Sequence, residues 1–373
     1  MSERHTFYGM LTLLSPLHIT SHHDGGVIYT EKVDVVTQEI VDDGDGGEDE
    51  QAVARFHAVP IIPGNTIRGR IRRAVADIVL ERLAGERISV KAMHVLRSGS
   101  TGAGNVDKNG ATLEEMLFAD AHPVIGLLGG GPRLFPSRLV TDTAVPLVSY
   151  VEHLLPGLFR DRVLAIRPIV RDDGGRVWPR LTAMVGFVRR DDIAHFAAQM
   201  DMLDPAEVQA YLEEVAAKVA RRRNGARDGE TGEDAKVRDV TVGTRQKLEV
   251  VLPGLRFGFR VEVRGPTPAQ LGLTVRALER FAADARLGGW VRAGCGRFAL
   301  DLAYQRPDME HPVSVFRARD GNLTDLHYED TCPELVEAVQ AWEGATVEAA
   351  DLEIWAGESP FAGGRGGRQG RAA

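Results

Sequence analysis

The stretch RFGFRVEVRGPTPAQLGLTVRALERFAADARLGGWVRAGCGRFALDLAY, residues 256–304, has the clearest pattern in the chain. Its first nine residues alternate between apolar and polar side chains, which predicts a half-buried strand. Pro268 fits the first turn of a helix, and apolar residues then recur at helical spacing up to Ala285. A glycine loop, Gly288–Gly296, separates this helix from a second alternating run that ends at Tyr304. The pattern predicts strand, helix, loop and strand.

The N-terminal region has the same order of elements. Residues 7–14 predict a strand, a hairpin is expected around residues 32–41, and residues 57–63 lead into a helix with an apolar stripe. That stripe consists of Ile67, Ile71, Ala74, Val75 and Ile78. Two such units predict an α+β protein with a ferredoxin-like (RRM-related) βαββαβ core. Because this core needs only about a hundred residues, the rest must be insertions.

Composition limits the possible classes of protein. The 373 residues carry a net charge of −8, but residues 61–300 alone carry a net charge of +8, so a polyanion would meet the middle of the chain. Arginine greatly outnumbers lysine, which suits phosphate contact but is also expected from a GC-rich genome. Two cysteines, Cys295 and Cys332, cannot form a disulfide framework or a four-ligand zinc site. Since the sequence shows no signal peptide and no apolar run of about 20 residues, we expect a cytoplasmic protein without a cofactor.

Two motifs could contact phosphate. In the first, Ile61–Arg73, Asn65 or Thr66 is expected to cap the helix, whose first amides then offer an anion site. A helical projection places Arg72 and Arg73 away from the apolar stripe, with Arg68 and Arg70 flanking it. A solvated basic face is the alternative. The second motif is the glycine loop, where backbone could approach a ligand closely; an ordinary helix end with a core tryptophan is the alternative. Its candidate residues are Gly288, Gly289, Trp290, Arg292, Gly294, Gly296 and Arg297.

Weaker signals come from three other segments. The loop around Gly129–Gly131 adds Arg133 and Arg138 to the candidate RNA-binding residues. The polar segment 221–247 adds Arg222, Arg223 and Arg245. A solvated charge run is the commoner explanation of the latter. The third segment, His18–Asp24, holds three histidines and an aspartate, but their spacing fits no standard zinc pattern, so we expect polar histidines there and no metal.

Taken in order, these motifs resemble the RAMP superfamily of CRISPR-associated proteins, specifically its RNA-bound backbone subunit. The resemblance rests on LSPLHI at residues 14–19, IPGNTIRGR at residues 62–70, the stretch from Ile125 to Leu139, and the glycine loop. The type IV backbone subunit is the most similar and the type III subunit is second. The resemblance implies a ferredoxin-like palm with large inserted finger and thumb elements. The palm with its insertions is expected to span residues 1–304, with finger insertions at about 15–58 and 85–135 and the thumb at about 205–250. A C-terminal extension, residues 305–360, and a disordered Arg/Gly tail, residues 361–373, are expected to follow.

The same resemblance implies a non-enzymatic subunit that holds guide RNA (crRNA) by its backbone, so that bases can pair with target DNA or RNA. Its partners would be copies of itself in a head-to-tail filament and other effector subunits. RNA contact carries over onto Asn65, Thr66, Arg68, Arg72 and the glycine loop. The alternative is an endoribonuclease that cuts paired target RNA through Asp24, whose His-His-Asp-Gly-Gly setting departs from the family pattern, or precursor RNA through a histidine of residues 18–23. A ferredoxin-like protein unrelated to nucleic acid is a third hypothesis.

Overall fold

The computed structural model describes residues 3–24, 26–42, 50–100, 110–167, 169–170, 176–190 and 243–357, with a few positions between 204 and 217. The strands are β1 (Arg4–Leu13), β2 (Thr20–Asp24), β3 (Val27–Thr30), β4 (Lys32–Asp42), β5 (Glu50–Pro60), β6 (Leu139–Thr141), β7 (Val145–Pro146), β8 (Ile169–Val170), β9 (Arg176–Val177), β10 (Thr182–Arg190), β11 (Gly243–Val251), β12 (Arg256–Arg264), β13 (Phe298–Gln305), β14 (Val313–Arg319) and β15 (Asn322–Leu326). The helices are α1 (Gly64–Leu83), α2 (Val90–Ser98), α3 (Leu113–Ala121), α4 (Pro123–Leu128), α5 (Pro268–Asp284), α6 (Tyr328–Thr331), α7 (Pro333–Glu343) and α8 (Ala349–Trp355).

The principal sheet has the ferredoxin-like strand order. Strand β1 lies between β13 and β12, and β12 pairs with β6, all antiparallel. In chain order the core is β1, α1, β6, β12, α5 and β13, which is the predicted βαββαβ unit. Strands β14 and β15 extend the sheet beyond β13. The predicted α+β, ferredoxin-like palm is confirmed.

Sequence alternation explains how the sheet holds its helices. Phe7, Leu11 and Leu13 of β1 are buried on one face, and the stripe of α1 packs there, with Ile67, Ile71 and Val75 inaccessible to solvent. Helix α5 packs against α1 on the same layer. Each such side chain contributes about 1.5–3 kcal/mol relative to an exposed one. The two predicted helices therefore form because their apolar stripes have a sheet to cover.

The other face of the palm sheet is partly covered by a segment without a clear sequence pattern. Residues 149–162 form two short 3-10 helices, and Phe159 packs with Leu147 and Leu155 against Tyr8 and Met10. A Cβ atom at Gly258 would lie only 2.9 Å from the Phe159 ring, so this position of β12 needs glycine. The covered part of this face is closed to a ligand.

The chain divides into two compact units. The first comprises residues 1–21, 30–183 and 250–373, and the second comprises residues 22–29 and 184–249. In the first, β4 and β5 form a long hairpin, so the hairpin expected around residues 32–41 is longer, with the acidic segment 43–49 between its strands. A four-stranded sheet, in the order β10-β11-β3-β2, provides the strands of the second unit. The finger, thumb and extension boundaries stay predictions, and most of the 205–250 region and the 361–373 tail lie outside the described residues.

Candidate nucleic-acid interface

The two principal sequence motifs lie at the same end of the palm sheet. Strand β1 ends where Leu13 pairs with Phe298, the first residue of β13 after the glycine loop. Across β1, Thr12 pairs with Arg256 at the start of β12. Helix α1 begins beside the same end, since Ile62 bridges to Ala144 in the segment that joins β6 to β7. The topology therefore brings together two motifs that are far apart in sequence.

The start of α1 differs from the prediction in its cap. Pro63 occupies the N-cap position with an extended backbone, and no side chain caps the helix, so the expectation of an Asn65 or Thr66 cap is wrong. The helix begins instead at Gly64, which fits closely against β6: a Cβ atom there would lie 2.2 Å from the Thr141 carbonyl oxygen. Asn65 is consequently exposed within the first turn, and Thr66 is half-buried beside it.

The glycine loop is anchored on the segment that follows β1. The Gly289 amide donates to the His18 carbonyl oxygen at 2.9 Å, and the Gly296 amide donates to the Pro16 carbonyl oxygen at 2.8 Å. A Cβ atom would lie 2.3 Å from the His18 oxygen at Gly288 and 1.9 Å from the Leu287 oxygen at Gly296. Packing within the chain is therefore enough to require glycine at these two positions, as the alternative interpretation of the loop expects.

The cations of the loop have different surroundings. Arg292 is exposed, whereas Arg297 pairs with Asp320. Arg286, just before the loop, has a buried Nη1 atom without a hydrogen-bond partner in the described part of the chain. A buried donor without a partner is costly, so this nitrogen is suited to an anion. Arg286 is absent from the sequence-based candidates because the glycine pattern starts only at Gly288.

Trp290 is half-buried and adopts a left-handed backbone, with φ of 58°, before the short 3-10 helix Val291–Ala293. It is therefore not the fully buried core tryptophan of the alternative interpretation. Gly294 is exposed, with open space around it, at the end of that 3-10 turn. The exposed edge of the loop runs from Val291 to Gly294.

Arg72 does not point to solvent as the helical projection predicts. Its side chain is buried and donates to the carbonyl oxygens of Val95, Leu128 and Gly129, each at 2.7 Å. Burial, and secondarily the nearby Arg68, lowers the pKa of Arg72 to about 10. The guanidinium thus stabilises the carboxyl ends of α2 and α4, where helix dipoles favour a cation. Arg72 is unavailable to RNA, and we leave it out of the interface.

Four further arginines predicted as site residues are also engaged. Arg68 donates to the Leu128 carbonyl oxygen at 3.1 Å, and Arg70 pairs with Asp284 at the end of α5. Arg133 donates to the Gly110 carbonyl oxygen at 2.6 Å. Arg138 pairs with Asp120 and donates to the Arg264 carbonyl oxygen at 2.9 Å, which places it at the opposite end of the sheet. The structure therefore does not gather these four residues into one site.

The other predicted residues lie elsewhere. Arg222 and Arg223 fall outside the described residues, and Arg245 lies on β11, in the second unit. His18 is buried near the end of β1, where its Nε2 atom lies 3.0 Å from the Thr20 hydroxyl oxygen, while Asp24 is exposed on β2. Within the described ranges there is no group of three His, Cys, Asp or Glu side chains arranged for a metal ion. No helix of that part of the chain has the length and apolar character of a membrane span.

Comparison with known proteins identifies the family. The antiparallel palm and its paired motifs define a ferredoxin-like protein with large insertions. The model of the RAMP superfamily matches residues 10–299, so the chain belongs to that superfamily. Among solved structures it is similar to a chain described as "Type IV-B CRISPR Complex", with 16% identity and a TM-score of 0.42, over 85% of this chain and 96% of that one. No curated protein matches.

Proposed function

We propose that this protein is a guide-RNA-binding backbone subunit of a CRISPR effector complex, most similar to the type IV subunit. Membership of the RAMP superfamily over residues 10–299 is the observation that supports this assignment most strongly. The subunit holds the phosphate backbone of the RNA and leaves the bases free to pair with target DNA or RNA. Its role is structural, and the chain itself performs no catalysis.

The RNA-binding surface lies at the end of the palm where α1 begins and the glycine loop is anchored. Asn65 and Thr66 offer polar groups there, Trp290 offers a partly accessible ring, and Arg292 offers an exposed cation. The buried Nη1 atom of Arg286 supports an anion at the base of the loop. Phosphate contact at these points fixes the position of the RNA without reading its sequence.

Copies of the subunit stack head to tail along the RNA, with other effector subunits at the ends of the filament. Such an interface joins two different surfaces of the same chain and does not close, so the length of the guide sets the number of copies. The insertions are the elements that reach neighbouring copies, with the thumb placed in the 205–250 region.

Charge changes at the loop test the proposed RNA surface. We expect Arg286→Gln combined with Arg292→Glu to weaken binding of single-stranded RNA about equally for all sequences. The slope of log affinity against log salt should fall by about one for each phosphate that the variant no longer neutralises. Fluorescence anisotropy across a salt series measures both quantities.

Arg4→Glu is the matched control for Arg292→Glu alone, because each reverses one charge and Arg4 is an exposed arginine at the opposite end of the same sheet, paired with Arg264 in the ladder. Equal decreases in affinity for Arg4→Glu and Arg292→Glu would show a general charge effect and contradict the assigned surface.

One observation favours a second function. Asp24 is exposed on β2 together with His22 and His23, so a carboxylate and two imidazoles are accessible to RNA. An endoribonuclease could use these groups for general acid–base chemistry. A cleavage assay on target RNA paired to a guide decides between the two functions: we expect no cut products. Cutting that disappears in Asp24→Ala would establish the nuclease.

A further inference from the structure

The second unit carries an aromatic pair that the proposed RNA surface does not use. His22 lies on β2 and Tyr29 on the neighbouring strand β3. Their ring centroids are 4.8 Å apart and the ring planes differ by only 9°. Nearly parallel rings at this separation are stacked face to face, so each ring covers part of the other and a third ring can add only to an outer face of the pair.

This pair lies where a ligand could reach it. All five residues of β2 are exposed, and β2 is an edge strand of the sheet. Tyr29 is half-buried, while its neighbour Ile28 points to the opposite, buried side. The rings therefore belong to the face that the apolar core of this sheet does not use.

A cation shares that face. Strand β11 runs parallel to β3, and Lys247 pairs with Val27, the residue that alternates into the same face as Tyr29. Lys247 is exposed, whereas Glu249, the next residue along that face of β11, is buried. Lys247 is therefore an exposed cation on the face of Tyr29, while Asp24, two residues from His22 on β2, is an exposed carboxylate.

Flat aromatic surfaces beside cations are the usual means of binding single-stranded nucleic acid, because every base has a π-face and every nucleotide has a phosphate. We infer that the His22–Tyr29 pair is a stacking site for one unpaired base of a bound RNA strand, with Lys247 contacting the adjacent phosphate. This inference rests on the proposed function, which supplies the RNA, and adds a contact to the bases on a different unit from the glycine loop.

The experiment compares two probes on the full chain: a fluorescein-labelled oligoadenylate and an abasic oligonucleotide of the same length. We expect Tyr29→Leu to weaken oligoadenylate binding by about fivefold or more, the effect typical of one stacked base. Binding of the abasic strand should be unchanged, because Tyr29→Leu removes no charge. Tyr29→Phe keeps the ring and should bind as the wild type does, and His311→Ala, which removes a highly exposed histidine elsewhere, is the matched control.

A direct readout covers the case in which Tyr29→Leu disturbs the pairing of β2 with β3. In the wild-type protein, 2-aminopurine placed along the oligoadenylate should be quenched at one position, and its fluorescence should return to the free value in Tyr29→Leu but not in His311→Ala. Equal affinity of all variants for oligoadenylate, or the same decrease for both probes, would overturn the stacking site while leaving the proposed function intact. A wild-type protein that binds neither probe would overturn the proposed function, and the stacking site with it.

Discussion

Arg72 shows how a single residue can look functional in sequence and be structural in the fold. Its four-arginine neighbourhood on α1 indicates a basic surface, but its guanidinium lies among backbone carbonyl oxygens and over the Trp355 ring, 5.6 Å from the centroid. No pattern within α1 could reveal this, because the acceptors come from α2 and α4, which are distant in sequence. The helical projection gives the direction of a side chain around the helix axis, whereas the burial of Arg72 depends on which other elements pack against that side of α1.

We predict that Arg72→Met lowers the free energy of unfolding by roughly 3 kcal/mol, because it leaves several buried carbonyl oxygens without a donor. Chemical denaturation measures the decrease. The neighbouring Arg73 is exposed, so Arg73→Met should change the free energy of unfolding by no more than about 0.5 kcal/mol. Similar values for the two variants would contradict the structural role assigned to Arg72.

The sequence predicts where the glycine loop lies, but the structure gives a different reason for its glycines. Its glycine content predicts room for a ligand, yet Gly288 and Gly296 leave room for the carbonyl groups of His18 and Leu287. A glycine-rich sequence indicates that other atoms approach the loop backbone closely, but it does not identify those atoms. The approaching backbone is identified only by the topology, which places the end of β1 against the loop.

We predict that Gly296→Ala destabilises the protein much more than Gly294→Ala. Both glycines have positive φ, 83° and 86°, so the backbone cost of about 1 kcal/mol is common to both. A Cβ atom at Gly296 collides with the Leu287 carbonyl oxygen, whereas nothing lies within 4 Å of one at Gly294. The difference between the two denaturation midpoints isolates the collision, and equal midpoints would contradict the anchored loop.

At the scale of the whole molecule, the palm was predictable and its surroundings were not. The alternation in β12 and β13 and the stripes of α1 and α5 depend on a two-layer core that the chain must bury, so they are visible in the sequence. Residues 149–162, which partly cover the other face of the palm sheet, have no such periodicity. The glycine-rich stretch before Arg138 likewise predicts it as a site residue, but Arg138 lies at the other end of the sheet.

The distribution of charge is also a property of the whole molecule. The net charge of −8 includes a positive middle, and the palm elements of the candidate interface fall within that positive region, residues 61–300. This distribution supports the proposed RNA contact at the palm, because a polyanion is attracted to the positive part of the chain and repelled by the acidic segments.

Nuclease protection tests most directly whether the subunit repeats along guide RNA. The purified protein, alone or after addition of guide RNA, is treated with ribonuclease, and the surviving RNA is separated on a denaturing gel. We predict protected fragments whose lengths increase in constant steps, one step for each bound copy. An RNA-free monomer that does not take up guide RNA, or protected fragments without regular steps, would contradict the proposed function.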